Sequence, residues 1–232
     1  MKLTASHSKK AALFCLFILL LSACGGSGSD TPAGPRVSIL YAIAQDGEPR
    51  DKAALNTALG TVQAWYKSEL NGQTFVGNVQ SCTLPNIADY YALNSRSKVL
   101  EDVASCESVK LDDSNTRWLI YADVTHECRT PGALELSDET VNVFSRLELD
   151  GLTGRGYADD CGNVYERSPK YYEGQMAHAL GLSLGLRYPA GCFEDKPNCD
   201  EDALMWTGYT QFPDTYLSEN DKTELFKTPF IR

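Results

Sequence analysis

Three histidines occur in the chain, at positions 7, 126 and 178. An imidazole can ligate a metal, carry a proton, or simply hydrogen-bond, so what stands around each one decides its chemistry. Metal-assisted hydrolysis from a helix needs two imidazoles four residues apart, which project from one face. It also needs a carboxylate to take the proton of the metal-bound water. His126-Glu127 begins such an H-E-x-x-H pattern, but its fifth position is Thr130. His178 is preceded four residues earlier by Gly174 and three earlier by Gln175. Glutamine has the shape of glutamate, but its amide is no base near neutral pH. His7 lies in a segment expected to be removed. His126 and His178 alone cannot make a three-histidine site, and only a mixed site with a carboxylate such as Glu173 or Asp159 stays open. Gly181-Leu182-Ser183-Leu184-Gly185 matches the letters of a serine-nucleophile elbow. Its place after a helix argues against the strand-to-helix turn that elbow requires.

The elements that would position these residues alternate between strand and helix. Val37 to Ala44 is an apolar, β-branched run closed by Gln45-Asp46-Gly47, a strand and a turn. From Asp51 to Leu70 the apolar residues recur with helical period, and Asn71-Gly72 closes the segment. A strand is expected over Thr74 to Val79, a helix over Ser97 to Ser105, and a strand buried on both faces over Arg117 to Val124. Val141 to Leu147 reads as a further strand, followed by a turn at Asp150 to Gly154. A helix follows Pro169, and a last one spans Ser218 to Phe226, capped by Ser218 and Asp221. The fold class is a mixed α/β (α+β) domain over 37–232, with a mixed twisted sheet, long helices and an irregular, disulfide-stapled C-terminal part.

Composition bounds the partners. The chain has 232 residues, 43% hydrophobic and 22% charged, enough for a packed core. Residues 1–23 read as a targeting segment, with Lys2, Lys9 and Lys10 before an apolar run too short to span a bilayer. Leu21-Ser22-Ala23-Cys24 resembles the lipobox of bacterial lipoproteins, which implies cleavage before Cys24 and lipid on its sulfur. An ordinary signal peptide, with Cys24 incidental, is the other reading. Residues 24–36 form a flexible tether. With that segment gone, 18 basic residues face 31 acidic ones, a formal charge of −13. Such a charge opposes nucleic acid and anionic lipid surfaces. The membrane contact expected is therefore the lipid at Cys24. Gly25 after that cysteine favours the outer membrane of a bacterial envelope, in an organism that has one.

Six further cysteines, an even number in an exported chain, read as disulfides. Cys192 and Cys199 flank a polar loop and pair locally. Cys82 with Cys106 and Cys128 with Cys161 is the neighbour-first choice among the rest. No C-x-x-C pair suggests thiolate zinc. The acidic stretches Asp159-Asp160, Glu194-Asp195 and Asp200-Glu201-Asp202 could take calcium, but they lack EF-hand spacing and read first as solvated surface.

Residues 169–230 resemble a bacterial, secreted, matrixin-like subgroup of the metzincin zinc metalloproteases, whose motif is H-E-x-x-H-x-x-G-x-x-H followed by a methionine turn. The likeness runs through Ala179-Leu180-Gly181-Leu182, Tyr188-Pro189, Gly191-Cys192, Ala203-Leu204-Met205-Trp206, Gly208-Tyr209, Phe212-Pro213-Asp214-Thr215-Tyr216-Leu217 and Thr228-Pro229-Phe230. It puts His178 on the second histidine, Gly181 on the glycine that turns the chain, and Met205 on the turn methionine. It puts Gly174 on the first histidine, Gln175 on the general base, and Leu184 on the third histidine, where leucine would fill the imidazole's space. His178 is then a remnant ligand. The resemblance implies a catalytically inactive relative that binds peptide or protein in a groove among Tyr171, Tyr172, Tyr188, Trp206 and Tyr209. No cofactor is expected. The alternatives are an active zinc metallopeptidase with a non-standard site around His178, and a purely structural envelope protein.

Overall fold

A computed structural model describes residues 34–48, 51–92, 95–124, 140–155, 157–158, 164–165, 168–194 and 199–232. The lipobox with Cys24, together with His126, Cys128, Asp159, Asp160, Cys161 and Asp195, lies outside the described residues.

Strand β1, Arg36–Ile43, is the centre of a four-stranded parallel sheet ordered β2-β1-β3-β4. Its partners are β2, Gly77–Thr83, and β3, Thr116–Asp123, with β4, Val141–Phe144, on the far edge. Alternation divides the side chains of β1 and β3 between two cores. Val37, Ile39, Tyr41, Leu119 and Tyr121 enter one cluster, while Leu40, Ala42, Trp118, Ile120 and Ala122 enter the other. Both faces are covered, as a parallel sheet requires. On the first face lie α1, Lys52–Glu69, α4, Arg146–Leu152, and α5, Pro169–Ser183. Their residues Leu59, Trp65, Leu149 and Met176 complete that cluster. Helices α2, Ala88–Ala92, and α3, Ser95–Val103, supply Tyr91 and Val99 to the second. The expected mixed α/β class is what the structure shows. Antiparallel pairing among the described strands is confined to the short ribbon β5, Tyr157–Ala158, with β6, Val164–Tyr165. Helix α6, Glu219–Leu225, closes the chain behind the capping box of Ser218 and Asp221. No helix among the described residues is long and apolar enough to cross a membrane.

Two strand boundaries depart most from the sequence expectation. The strand expected over Thr74 to Val79 begins only at Gly77, because Phe75 turns into the core and parallel register with β1 runs from Val37↔Gly77 to Ile43↔Thr83. The strand expected to reach Leu147 stops at Phe144. Ser145 then starts α4 with a capping box: the Leu147 N–H donates to Ser145 Oγ at 3.2 Å, and the Ser145 N–H donates to Glu148 Oε2 at 2.8 Å. Two orphan donors of the helix start are thereby satisfied, which outweighs the β propensity of the preceding residues. Disulfides join Cys82 to Cys106 and Cys192 to Cys199.

Helix α5 is buried nearly all round, the pattern of an internal helix rather than an amphipathic one. Side-chain donors from three elements hold its carbonyls: Tyr66 Oη to Ala177 at 2.9 Å, Asn142 Nδ2 to Ala179 at 3.3 Å, and Arg117 Nε to Ser183 at 2.7 Å. Close approach is the other device, since α4 meets α5 at Gly151, where any Cβ would run into the Tyr172 ring. Gly151→Ala should therefore lower unfolding stability by about 1–3 kcal/mol through overpacking. A urea titration checks this: an unchanged midpoint would show that α4 is not pressed against Tyr172.

Candidate functional site

Pro169 occupies the first turn of α5, where its missing N–H costs nothing. The helix passes through Gly181 and ends beyond it. Gly185, at φ 99°, makes the left-handed turn; its N–H donates to Leu182 O at 3.0 Å, and the Leu186 N–H donates to Gly181 O at 3.0 Å. This is the Schellman arrangement. Gly181 is thus not the turning residue the resemblance implied. Its lack of a Cβ leaves room for Met205 Sδ, 2.6 Å from where that Cβ would sit, and for the Tyr66 hydroxyl at 3.2 Å. Leu184, the C-cap of the helix, is buried in the main core.

His178 is buried, 7% exposed, with both ring nitrogens engaged. Nδ1 lies 2.8 Å from the carbonyl oxygen of Leu204. A carbonyl only accepts, so Nδ1 carries the proton and Nε2 the lone pair. Nε2 in turn accepts from the Tyr188 hydroxyl at 3.3 Å. Burial lowers the imidazole's pKa, although the Leu204 carbonyl opposes that shift, and burial raises that of Tyr188. A neutral imidazole facing a protonated phenol is the consistent state. Met205 follows Leu204 directly and is fully buried beneath α5, so the turn that presents the carbonyl to His178 is itself anchored in the core.

Gly174 and Gln175 are each constrained by what packs against them. A Cβ at 174 would collide with the carbonyl oxygen of Tyr209 and sit 2.8 Å from Phe212 Cβ. The 3-10 turn Gly208–Gln211 lies directly on the helix there, so the volume of a side chain at 174 is taken by backbone. Gln175 is 8% exposed. Its Nε2 donates weakly to Tyr171 Oη at 3.4 Å, while its Oε1 is buried with no hydrogen-bond partner. Such an atom forgoes about 1–3 kcal/mol unless something supplies a donor.

These residues open into a cleft of about 260 Å³ lined by Gln175, His178, Tyr188, Phe193, Trp206 and Tyr209, with Phe144, Ala179 and Thr207 beside them. Phe193 stands 71% exposed in the Cys192–Cys199 loop, its ring centroid 5.1 Å from that of Tyr188 and 5.0 Å from that of Trp206. Of the aromatic residues expected to line a groove, Tyr188, Trp206 and Tyr209 do so; Tyr171 and Tyr172 are buried instead. Phe193 was missed by the sequence reading. An aromatic residue inside an otherwise polar disulfide loop was the available signal.

The described residues do not fit a zinc ion. Among them no three histidine, cysteine, aspartate or glutamate side chains converge on a point. Glu173 pairs with Lys170 at 3.0 Å. Of the acidic calcium candidates, Asp200 and Asp202 are engaged elsewhere: Asp200 accepts from Tyr216 and from the Asp202 N–H, and Asp202 accepts from Gln211 Nε2 at 2.9 Å.

Two outcomes follow from the geometry. Gly174→Ala should destabilise the fold by at least about 1–3 kcal/mol, because the obstacle is backbone and not a flexible side-chain end. Thermal melting checks it, and an unaltered melting temperature would mean that the Tyr209 turn does not rest on the helix. The His178 pKa lies below its ordinary 6.5 in the folded state. The unfolded chain therefore binds the extra proton first on acidification, and stability must fall as pH drops below about 6.5. In His178→Asn that part of the slope should vanish; identical slopes in urea titrations between pH 7 and 5 would contradict the buried neutral imidazole.

No family model matches the chain, and no curated protein matches it. Among solved structures, the chain is similar to catalytically inactive OgpA from Akkermansia muciniphila in complex with an O-glycopeptide substrate. That likeness has a TM-score of 0.57 at 18% identity, over 85% of this chain and 61% of the other. Wild-type OgpA gives a TM-score of 0.57 at 17% identity over the same shares. Archaemetzincin from Methanopyrus kandleri gives 0.44 at 14% identity, over 85% of this chain and 97% of that one. The chain thus spans about three fifths of the length of OgpA. The likeness to OgpA is one of fold.

Proposed function

We propose that this protein is a lipid-anchored envelope lipoprotein whose metallopeptidase-like domain binds peptide without hydrolysing it. One observation carries the reading. The backbone of Tyr209 occupies the place a side chain at 174 would need, while the cleft in front of Gln175 and His178 stays open. A site that has lost its ligand volume but kept a lined cavity is suited to recognition rather than metal chemistry. Gln175 cannot replace a general base, and burial holds His178 neutral. The O-glycopeptide bound by catalytically inactive OgpA shows that its fold can hold a peptide chain, which supports the same use of the cleft here. The lipobox at Cys24 supports anchoring to a bacterial membrane, and its Gly25 supports the outer one.

One feature favours the rival, an active zinc enzyme. The Nδ1–H of His178 donates to a carbonyl and Nε2 carries the lone pair, which is the orientation of a metal-ligating imidazole. The test is direct. The full chain, purified in detergent, is equilibrated with zinc, dialysed, and assayed for bound metal and peptide hydrolysis beside His178→Ala. The expected result is neither bound zinc nor turnover. Stoichiometric zinc that is lost with His178→Ala, together with hydrolysis, would overturn the proposal. Radiolabelled palmitate incorporated by the wild type and not by Cys24→Ser is the expected result for the anchor.

A further inference from the structure

Resting on the peptide-binding reading above, we propose that the cleft receives one cationic side chain of the bound peptide, an arginine in the first instance. The floor of the cleft offers acceptors rather than donors. Gln175 lines it with an Oε1 that is buried and lacks a donor, and the Tyr188 hydroxyl, which donates to His178 Nε2, keeps its oxygen lone pairs as acceptors beside it. A ligand group must therefore bring N–H or O–H groups inward, and a purely apolar side chain would leave Gln175 Oε1 unsatisfied.

The walls select among donors. Tyr188, Phe193, Trp206 and Tyr209 offer aromatic rings, whose faces attract cations, most strongly when water is excluded. Neighbouring planes stand at steep angles: 67° between Tyr188 and Phe193, 88° between Phe193 and Trp206, and 89° between Tyr188 and Trp206. No lysine or arginine lines the cleft among the described residues. The chain as a whole carries a formal charge of −10, so the long-range field also favours a positive ligand. Size agrees. A cleft of about 260 Å³ falls below the roughly 300–1,000 Å³ of sites for drug-sized molecules and suits a single long side chain. Arginine combines a flat face that stacks on rings with several N–H donors for the floor. A quaternary ammonium would satisfy the walls but not Gln175.

The probe is a capped pentapeptide with one central arginine between glycines, compared with its citrulline, norleucine and O-glycosylated threonine counterparts. Binding to the full chain in detergent is read by calorimetry and by tryptophan fluorescence, where Trp206 is the reporter because Trp65 and Trp118 are buried. The arginine peptide should bind about tenfold tighter than the citrulline peptide, the scale of a desolvated cation–π contact. Gln175→Met and Phe193→Ala should each remove most of that preference, and Gln175→Glu should increase it. Phe193 is exposed, so its replacement leaves the core intact should Gln175→Met fail to fold. Equal binding of arginine, citrulline and norleucine peptides, or preference for the glycosylated peptide, would overturn the cationic pocket and leave the peptide-binding reading standing. Failure of every probe to bind would overturn both.

Discussion

Backbone from one end of the domain rests on a helix from its middle, and the contact is possible only because residue 174 has no side chain. The Tyr209 carbonyl sits against α5 where a Cβ would otherwise start. From that contact the 3-10 turn is placed, and with it Tyr209 and Phe212. Phe212 lies against Trp65 on α1, their ring centroids 5.7 Å apart, and the Trp65 indole donates to the Pro213 carbonyl at 3.1 Å. Helix α5 is thus held by Tyr66 of α1, Asn142 of β4 and Arg117 of β3, and at Gly174 by bare backbone.

The cleft follows from the same clamp. His178 is held by a carbonyl of the turn that buries Met205, and that hydrogen bond sets its tautomer. Gln175 is held at the edge of the cavity with half its amide satisfied. Buried polar atoms without partners are uncommon in native folds. The aromatic rim adds area and negative ring faces without adding charge.

Much of the scaffold was legible from the chain. The double-sided runs of β1 and β3, the helical period of α1 with its Asn71-Gly72 close, and the Ser218 cap of α6 are local patterns, and local propensity and burial point the same way there. Where two local signals competed, the reading slipped. Val141 to Leu147 has strand composition, but the Ser145–Glu148 capping box converts its second half to helix. Gly181 looked like the turn because the resemblance places a turn there. Gly185, four residues later, takes the left-handed conformation, and Gly181 makes room for a sulfur atom.

By itself the sequence determined which side chains are at hand: Gly174 and Gln175 four and three residues before His178, and Leu184 six residues after it. Those are facts of composition and need no coordinates. Only the tertiary structure decided what surrounds them. That Gly174 is filled by the Tyr209 backbone, that Leu184 turns into the core, that Phe193 reaches over the cleft and that Gln175 Oε1 goes unpaired all depend on residues remote in sequence meeting at contact distance. Periodicity and spacing carry information about neighbours along a helix or strand; they carry none about which distant backbone will occupy the space that a missing side chain leaves.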